Sequence, residues 1–418
     1  MIGNISNPYD IIVCGGGMAG CGAAIAAARS GASTLLIEQT EVLGGLGSNG
    51  GVGGFAAGQG GHVGQGRVFA DILSRLRTYG ALGEEHGWCI RPNLRWACEN
   101  WLFDHQMLPV VLQEICVEAG VNLLLGTTII DAKMSGGRIE GAKIHNHSLQ
   151  RIVRASVYID ATGDGILARH AGATTLPDDP NFPGVIRPSF MVYLRKTSQA
   201  TLQPLPGKRH FEADETPSYS VWWERRGRVG LKFKMFHMDF DTGTGEGFNA
   251  CVMKMRERIP EFVRHFQESH DASYVFDYAS PMMGIREGRR IAGDTVLTIE
   301  DIRSERKRAD AVAYGTFSID ANGTREKLPP YHIPYGSLIP RGIENGLMAG
   351  RCFSADRLAL SSARVMPTCC MMGNAAGLAA AQSAKDGIPV REINPQRIRD
   401  ALIAEDPEGN LIRKRMDE

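Results

Sequence analysis

The sequence has no excess of charge of either sign: 46 Lys plus Arg stand against 46 Asp plus Glu, a formal net charge of zero over 418 residues. A neutral chain lacks the broad attraction that nucleic acid or an anionic membrane exerts on a basic surface, so no nucleic-acid partner is expected. The one basic stretch, Arg303, Arg306, Lys307 and Arg308, alternates with acids and reads as a solvated helix face. Long uncharged apolar runs are also missing. The most apolar region, Ala359 to Ala384, is interrupted by Arg364 and Pro367, so no membrane span is expected. Met1 to Asp10 has neither a basic region nor an apolar run and does not read as a signal peptide. The nine cysteines are odd in number and lack disulfide-like spacing, which fits a reducing compartment and a cytoplasmic protein. No His, Cys and carboxylate cluster has metal-ligand spacing, so no metal is expected.

Glycine, in contrast, is abundant, at 50 residues, and clusters in two places where backbone can approach a ligand. The apolar content of 43% and charged content of 22% are those of an ordinary globular protein, long enough for two folded modules. Asp10 to Cys14 reads as a buried strand that runs into Gly15-Gly16-Gly17-Met18-Ala19-Gly20, with G-x-G-x-x-G on Gly15, Gly17 and Gly20. The Ala-rich stretch Cys21 to Ser30 favours helix, with Gly31 as its C-terminal stop, and Ser33 to Ile37 reads as a second strand ending in Glu38. This is the strand–turn–helix–strand setting in which the motif binds a dinucleotide. Gly15 permits the tight turn, Gly17 lets backbone approach a pyrophosphate, and Gly20 lets helix and strand pack closely. The helix N-terminus offers free N–H groups and partial positive charge to the phosphates. Glu38 is spaced to accept from an adenosine ribose, which favours FAD or NAD over NADP.

A second glycine-rich run, Gly44-Gly45-Leu46-Gly47-Ser48-Asn49-Gly50-Gly51-Val52-Gly53-Gly54, follows directly. An NAD dehydrogenase would continue with a helix here. A flavoprotein needs small residues, because pyrophosphate and isoalloxazine lie along this loop, and Ser48 and Asn49 are placed to donate to their oxygens.

Further on, Val68 to Tyr79 and Asp104 to Ala119 read as helices, the latter with an unexplained Pro109 inside it. Val121 to Leu125, Thr127 to Lys133 and Arg138 to Ile144 read as strands, with Ser135-Gly136-Gly137 as a hairpin turn. Ser156 to Ile159 is a strand ending in the small residues Asp160-Ala161-Thr162-Gly163-Asp164-Gly165, as at the ligand-bearing edge of a parallel sheet. From about Thr175 to Pro340, prolines, aromatics and alternating runs such as Leu231 to Met238 suggest a mixed antiparallel sheet. Gly346 to Arg351 then reads as a strand ending in glycine, and a helix starts after Pro367 with its N-terminus placed to favour negative charge on a flavin.

The ordered segments C-G-G-G-M-A-G (14–20), E-Q (38–39), L-G-G-L-G-S-N-G-G (43–51), I-D-A-T-G-D-G (159–165), R-E-G-R-R-I-A-G (286–293), P-Y-H-I-P-Y (330–335), L-M-A-G-R (347–351) and R-V-M-P-T-C (364–369) together resemble the glutathione-reductase-type FAD superfamily. Within it they resemble the bacterial FAD-dependent oxidoreductases, similar in plan to fumarate reductase and ketosteroid dehydrogenase flavoproteins. The resemblance covers nearly the whole chain. It implies FAD contacts at Gly15, Gly17, Met18, Ala19, Gly20, Glu38, Gln39, Gly45, Ser48, Asn49, Ile129, Ala161, Thr162, Gly163, Gly350, Arg351 and Thr368. It leaves the substrate open.

For catalysis, His332 is the candidate base, held by flanking prolines, or else a structural histidine. Arg286 and Arg364 are candidates to bind a substrate carboxylate; alternatively Arg286 and Glu287 form a domain-bracing ion pair. Cys369-Cys370 reads as small apolar packing or as a redox pair, although disulfide-reductase spacing is absent. His62 lies where some relatives attach flavin covalently, and non-covalent FAD is expected here.

The resulting expectation is an α/β protein. A Rossmann-like FAD-binding domain with a parallel central sheet comes from residues 1–174 and 341–418, and a mixed or antiparallel α+β substrate domain from 175–340. Such an enzyme oxidises a small organic molecule by hydride transfer to flavin N5. Only one dinucleotide motif is present, so the electron acceptor is separate: oxygen, a quinone or a protein. A homo-oligomer is left open. The alternatives are a C=C reductase of the fumarate-reductase type, in which an Arg donates the proton, an electron-transfer flavoprotein subunit, and, more remotely, a tRNA-modifying flavoprotein.

Overall fold

The structure is a computed structural model that describes residues 8–56, 65–83, 101–147, 149–178, 182, 185–205, 218–225, 227–234, 240–322 and 324–406. Its first strand, β1 (Tyr9–Cys14), carries Ile11, Ile12, Val13 and Cys14 fully buried. A run apolar on both faces can only be a strand covered on both sides, at the centre of a parallel sheet. That sheet is five-stranded, in the order β18 (Gly346–Met348), β9 (Ala155–Asp160), β1, β2 (Thr34–Ile37), β5 (Asn122–Leu124). All its pairings are parallel, with Ile11 opposite both Thr34 and Val157. The last-used strand, β18, thus comes from a part of the chain far from β1.

One face of the sheet is covered by α1 (Met18–Arg29) and α9 (Met366–Asp386). Their contact is made backbone to backbone. A Cβ on Gly373 would lie 1.9 Å from the Ala19 carbonyl oxygen, one on Gly377 2.2 Å from that of Ala23, and one on Gly22 2.5 Å from that of Cys370. Ala19 thus faces Gly373 and Ala23 faces Gly377, so the two helices run parallel and their N-termini open at the same edge. Against them pack α2 (Arg67–Thr78), α3 (Leu108–Glu118) and α10 (Pro395–Ala404). The opposite face is covered by the antiparallel meander β6 (Thr128–Ser135), β7 (Arg138–Asn146) and β8 (Leu149–Val153), and by α4 (Ile166–His170). The β6–β7 turn has Gly136 and Gly137 at φ 53° and 84°, the doubly left-handed turn expected there.

A second sheet is antiparallel, in the order β11 (Ser218–Arg225), β12 (Arg228–Lys234), β10 (Ser189–Lys196), β13 (Tyr274–Ala279). Its own core joins it to α5 (Gly245–Glu257) and α6 (Ile259–Ser269) through Phe190, Phe233, Met255 and Phe262. Smaller pairs are β3 (Gly54–Phe55) with β4 (Trp101–Leu102), β14 (Ala311–Gly315) with β17 (Tyr331–Pro334), and β15 (Ile319–Ala321) with β16 (Thr324–Glu326). Residues of β14, β15 and β17 share the core of α1 and α9, as do α7 (Ile299–Arg303) and α8 (Arg357–Ala363).

Several sequence boundaries move. The helix expected over Asp104 to Ala119 begins at Leu108, which puts Pro109 in its first turn, where a missing N–H costs nothing. Likewise α9 begins at Met366, one residue before Pro367, rather than after it. Of the alternating run 231–238, β12 takes residues up to Lys234 and Met238 lies outside the described residues. No helix among the described residues is long and apolar enough to cross a membrane.

Candidate active site

At the carboxyl edge of the parallel sheet, the β1–α1 turn needs glycine for three different reasons. Gly15 has φ +101°, and a Cβ there would lie 2.5 Å from the Ala161 carbonyl oxygen. Gly20 packs so tightly on the turn that a Cβ would lie 1.7 Å from the Gly15 carbonyl oxygen. Gly17 differs: its φ is an ordinary −68°, and a Cβ would meet no described residue within 4 Å. Internal packing therefore gives no reason for a glycine at 17; open space above the helix does. Helix α1 has no side-chain cap and no acid in its first turn, so the N–H groups of its first turn, at Met18 to Gly20, face that space with the positive end of the helix dipole. Uncapped donors, a bare glycine and open space together fit a diphosphate.

Glu38, at the end of β2, is buried. Its Oε2 accepts the Gly16 N–H at 2.6 Å, and its Oε1 accepts the Thr40 N–H and hydroxyl, each at 2.8 Å. Gln39 beside it is exposed. The Thr127 N–H donates to the Glu38 carbonyl at 2.9 Å, which brings the start of β6, with Ile129, alongside the Glu38 strand end. Ala161 N–H donates to the Cys14 carbonyl at 2.7 Å, and buried Asp160 holds Thr162 through its N–H and hydroxyl at 3.0 and 2.8 Å. Gly163, at φ +82°, has Arg351 against it: a Cβ would lie 2.8 Å from an Arg351 Nη. Arg351 follows Gly350 at the end of β18 and pairs with Asp164 at 2.7 Å. Gly350, at φ +85°, sits beside Ala19 and Cys369.

The second glycine-rich run ties the two helix N-termini together. Gly44 N–H donates to the Gly16 carbonyl at 2.8 Å, and a Cβ on Gly45 would lie 3.2 Å from the Gly17 Cα. Two residues on, a Cβ on Gly47 would lie 2.8 Å from the Met366 sulfur at the start of α9. Ser48 is buried and donates its hydroxyl to the Gly45 carbonyl at 3.2 Å, while the Asn49 carbonyl accepts the Met282 N–H at 3.2 Å. Helix α9, like α1, has neither a side-chain cap nor an acid in its first turn, where Thr368 is buried.

Next to that N-terminus two guanidinium groups converge on one carboxylate. Arg286 Nη2 lies 2.5 Å and Arg364 Nη2 3.3 Å from Asp320 Oδ2. Asp320 also offers its carbonyl to both. Arg286 Nη1 reaches the Arg187 carbonyl at 3.4 Å. The Nε atoms of Arg286 and Arg364 are buried without a hydrogen-bond partner among the described residues. Burial, and then the neighbouring Arg286, hold Arg364 down to about 9.

Arg286 and Glu287 do not pair with each other. Adjacent residues in an extended segment point to opposite sides. Glu287 takes Arg357 Nε at 2.8 Å and Arg290 Nε at 3.2 Å, all three buried, while Arg286 turns to Asp320.

His332 is not brought to this cluster. In β17 its neighbour Tyr331 faces α8, with its hydroxyl 2.7 Å from Ser362 Oγ. Strand alternation then turns His332 to the other face, where Nδ1 accepts the Arg308 N–H at 3.2 Å. Cys369 and Cys370 are buried free thiols, and burial pushes Cys369 up to about 12 and Cys370 higher still. His62 lies outside the described residues.

Residues the sequence did not single out also border the site. Asp320 is one, and a stacked group of His105, Tyr193 and Tyr278 beneath Gly51 is another. Their partners are far away in the chain, and none stands in a recognisable motif.

The sequence profile of the family described as FAD dependent oxidoreductase matches residues 10–402. Among solved structures, this chain is similar to a geranylgeranyl bacteriochlorophyll reductase-like protein from Thermoplasma acidophilum, with TM-score 0.50 and 12% identity over 99% of this chain and 96% of that one. It is similar to the flavin-dependent brominase Bmp2, with TM-score 0.50 and 16% identity over 94% and 83%. It is also similar to CabE, an aromatic hydroxylase from angucycline biosynthesis, with TM-score 0.50 and 14% identity over 98% and 72%. At these identities the likeness is one of fold.

Proposed function

We propose, from the premise that this chain belongs to the FAD dependent oxidoreductase family, that it moves hydride between FAD and a small organic molecule whose anionic group is held by Arg286 and Arg364. The residues that would hold FAD are Gly15 and Gly17 to Gly20 at the start of α1, Glu38 and Gln39, Gly45, Ser48 and Asn49, Ile129, Ala161 to Gly163, Gly350, Arg351 and Thr368. When bound, FAD supplies the hydride acceptor at N5. The uncapped N-terminus of α9 favours negative charge nearby.

The observation that carries the reading is the charge imbalance at Asp320. Two buried guanidiniums share one carboxylate, and each keeps a buried Nε with no partner among the described residues. A buried cation without full compensation is costly, and a carboxylate entering beside the two arginines relieves that cost through charge-assisted hydrogen bonds. With one dinucleotide motif in the chain, the electrons leave to a separate acceptor, either oxygen, a quinone or a protein.

A second reading, a reductase of activated C=C bonds on the plan of the fumarate reductases, is favoured by one observation. Arg364 stands directly before α9, and its buried Nε has no hydrogen-bond partner among the described residues, which leaves a donor to face a bound substrate.

The test is anaerobic bleaching of the yellow holoprotein by a panel of carboxylic acids and their methyl esters. Two charge-assisted hydrogen bonds of about 1.5 kcal/mol each predict that acids outperform esters by ~100-fold. Esters that bleach as well as acids would refute the anion-binding role. Reoxidation of the photoreduced holoprotein by unsaturated acids, lost in Arg364→Met, would select the reductase direction.

A further inference from the structure

We propose that His105 is a positioning residue of this site: with Tyr278 and Tyr193 it forms a one-way hydrogen-bond chain that fixes the carbonyl of Gly51, and with it the glycine-rich loop 44–54. The inference rests on that loop being the cofactor seat.

The direction of the chain follows from what each atom can do. The Tyr193 hydroxyl lies 2.6 Å from the Gly51 carbonyl oxygen. A carbonyl only accepts, so Tyr193 donates. Having committed its proton, the Tyr193 oxygen accepts from His105 Nδ1 at 3.2 Å, which places the ring proton on Nδ1. In a neutral imidazole Nε2 is then an acceptor, and the Tyr278 hydroxyl donates to it at 2.8 Å. Burial keeps His105 neutral by lowering it to about 4. Every proton points the same way, from half-buried Tyr278 through His105 and Tyr193 to the loop.

The rings are stacked as well as bonded. His105 and Tyr193 lie with centroids 4.6 Å apart, and Tyr193 and Tyr278 are 4.6 Å apart at 7°. The chain therefore acts as one rigid unit. Its point of action is a segment with few means of its own to stay ordered. Gly44, Gly45 and Gly51 have φ of +105°, +55° and +66°, and the loop has few side chains to anchor it. The Gly51 carbonyl also accepts the Gly53 N–H at 3.0 Å, so both its lone pairs are used. The same segment that carries His105 holds Gly53 directly, through the Phe103 N–H at 3.0 Å. The far end of the loop meets Gly17 and Met366. Anything that slackens Gly51 is therefore felt where the two helix N-termini open. A purely apolar cluster of three rings would pack as well; only a donor can set the direction of a carbonyl.

The test is FAD titration of apoprotein variants, with the visible spectrum of the bound flavin as second readout. Tyr193→Phe keeps the stack and removes the donor, and is expected to weaken FAD binding ~10-fold and shift the spectrum. His105→Asn, whose amide N–H stands in for Nδ1–H, should stay within about threefold of the parent, while His105→Ala should lose about as much as Tyr193→Phe. If Tyr193→Phe and His105→Ala bind FAD as the parent does, with only their melting temperatures lowered, the chain is structural and the inference fails. Equal losses in His105→Asn and His105→Ala would also overturn it. A parent apoprotein that takes up no FAD would sink the reading of the loop as cofactor seat, and this inference with it.

Discussion

Gly17→Ala separates a glycine kept for a ligand from one kept for the fold. Its φ of −68° and ψ of −177° are open to any L-residue, and the added methyl meets no atom of the described residues within 4 Å. Alanine reduces the freedom of the unfolded chain, which favours folding by about 0.4–1 kcal/mol. Alanine is also the poorer helix N-cap, which costs about 0.5–1 kcal/mol. The two nearly cancel, so apoprotein stability should stay within about 1 kcal/mol of the parent.

The holoprotein should behave differently. The methyl stands in the opening above α1, where phosphate oxygens would meet the N–H groups of Met18 to Gly20. Losing two hydrogen bonds to a charged group, at about 1.5 kcal/mol each, comes to about 3 kcal/mol, or ~100-fold in the FAD dissociation constant. Calorimetry of the apoprotein and quenching of FAD fluorescence on titration measure the two quantities separately. An FAD affinity within about threefold of the parent would refute the assignment of this opening to the diphosphate. A loss of more than about 2 kcal/mol in the apoprotein would show instead that Gly17 serves the fold.

Other perturbations test the rest of the frame. Gly373→Ala sets a methyl 1.9 Å from the Ala19 carbonyl oxygen and must push α9 off α1; urea unfolding should show a loss of about 2–3 kcal/mol with or without FAD. Asp320→Ala strips the shared carboxylate from Arg286 and Arg364 and should cost about 3–5 kcal/mol, with part of the lost melting temperature restored by a carboxylate in the buffer. His105, faced by Asp104, Tyr193 and Tyr278, titrates near 6.5 when unfolded and near 4 when folded. The folded form thus prefers the neutral ring, so this contribution is complete above pH 6.5 and is lost as pH falls toward 4. It amounts to at most about 3 kcal/mol, and His105→Asn should flatten that arm of the stability–pH curve.

The features legible in the sequence are those fixed by nearby residues. Gly15, Gly17, Gly20 and Glu38 lie within a single βαβ unit, and their spacing alone brings them to one edge of the sheet. The features left open in the sequence depend on which way a side chain turns within a correctly located segment. Flanking prolines do mark an ordered strand at His332, but Tyr331 turns to α8 while His332, also buried, turns to the opposite face and the Arg308 N–H. Arg286 and Glu287 are adjacent and opposite in charge, yet each finds its partner elsewhere, at Asp320 and Arg357. His105 gave no signal because its partners, Tyr193 and Tyr278, are 88 and 173 residues away.

The pairing of α1 with α9 explains why glycines recur far beyond the first motif. Since Ala19 faces Gly373 and Ala23 faces Gly377, the helices are parallel and in fixed register. At Gly22, four residues into α1, the contact is to Cys370, four residues into α9, so the positive ends of both helices open close together at one edge of the sheet. Two neighbouring dipole ends suit a long ligand with a diphosphate at one and an electron-accepting ring at the other. The loop reaches both, touching Gly17 at Gly45 and Met366 at Gly47. The two ends stay together only while the helix axes stay this close, and that closeness is what Gly22, Gly373 and Gly377 supply. A bulkier residue at any of them would move the second dipole end relative to the first, even with every residue of the first motif intact.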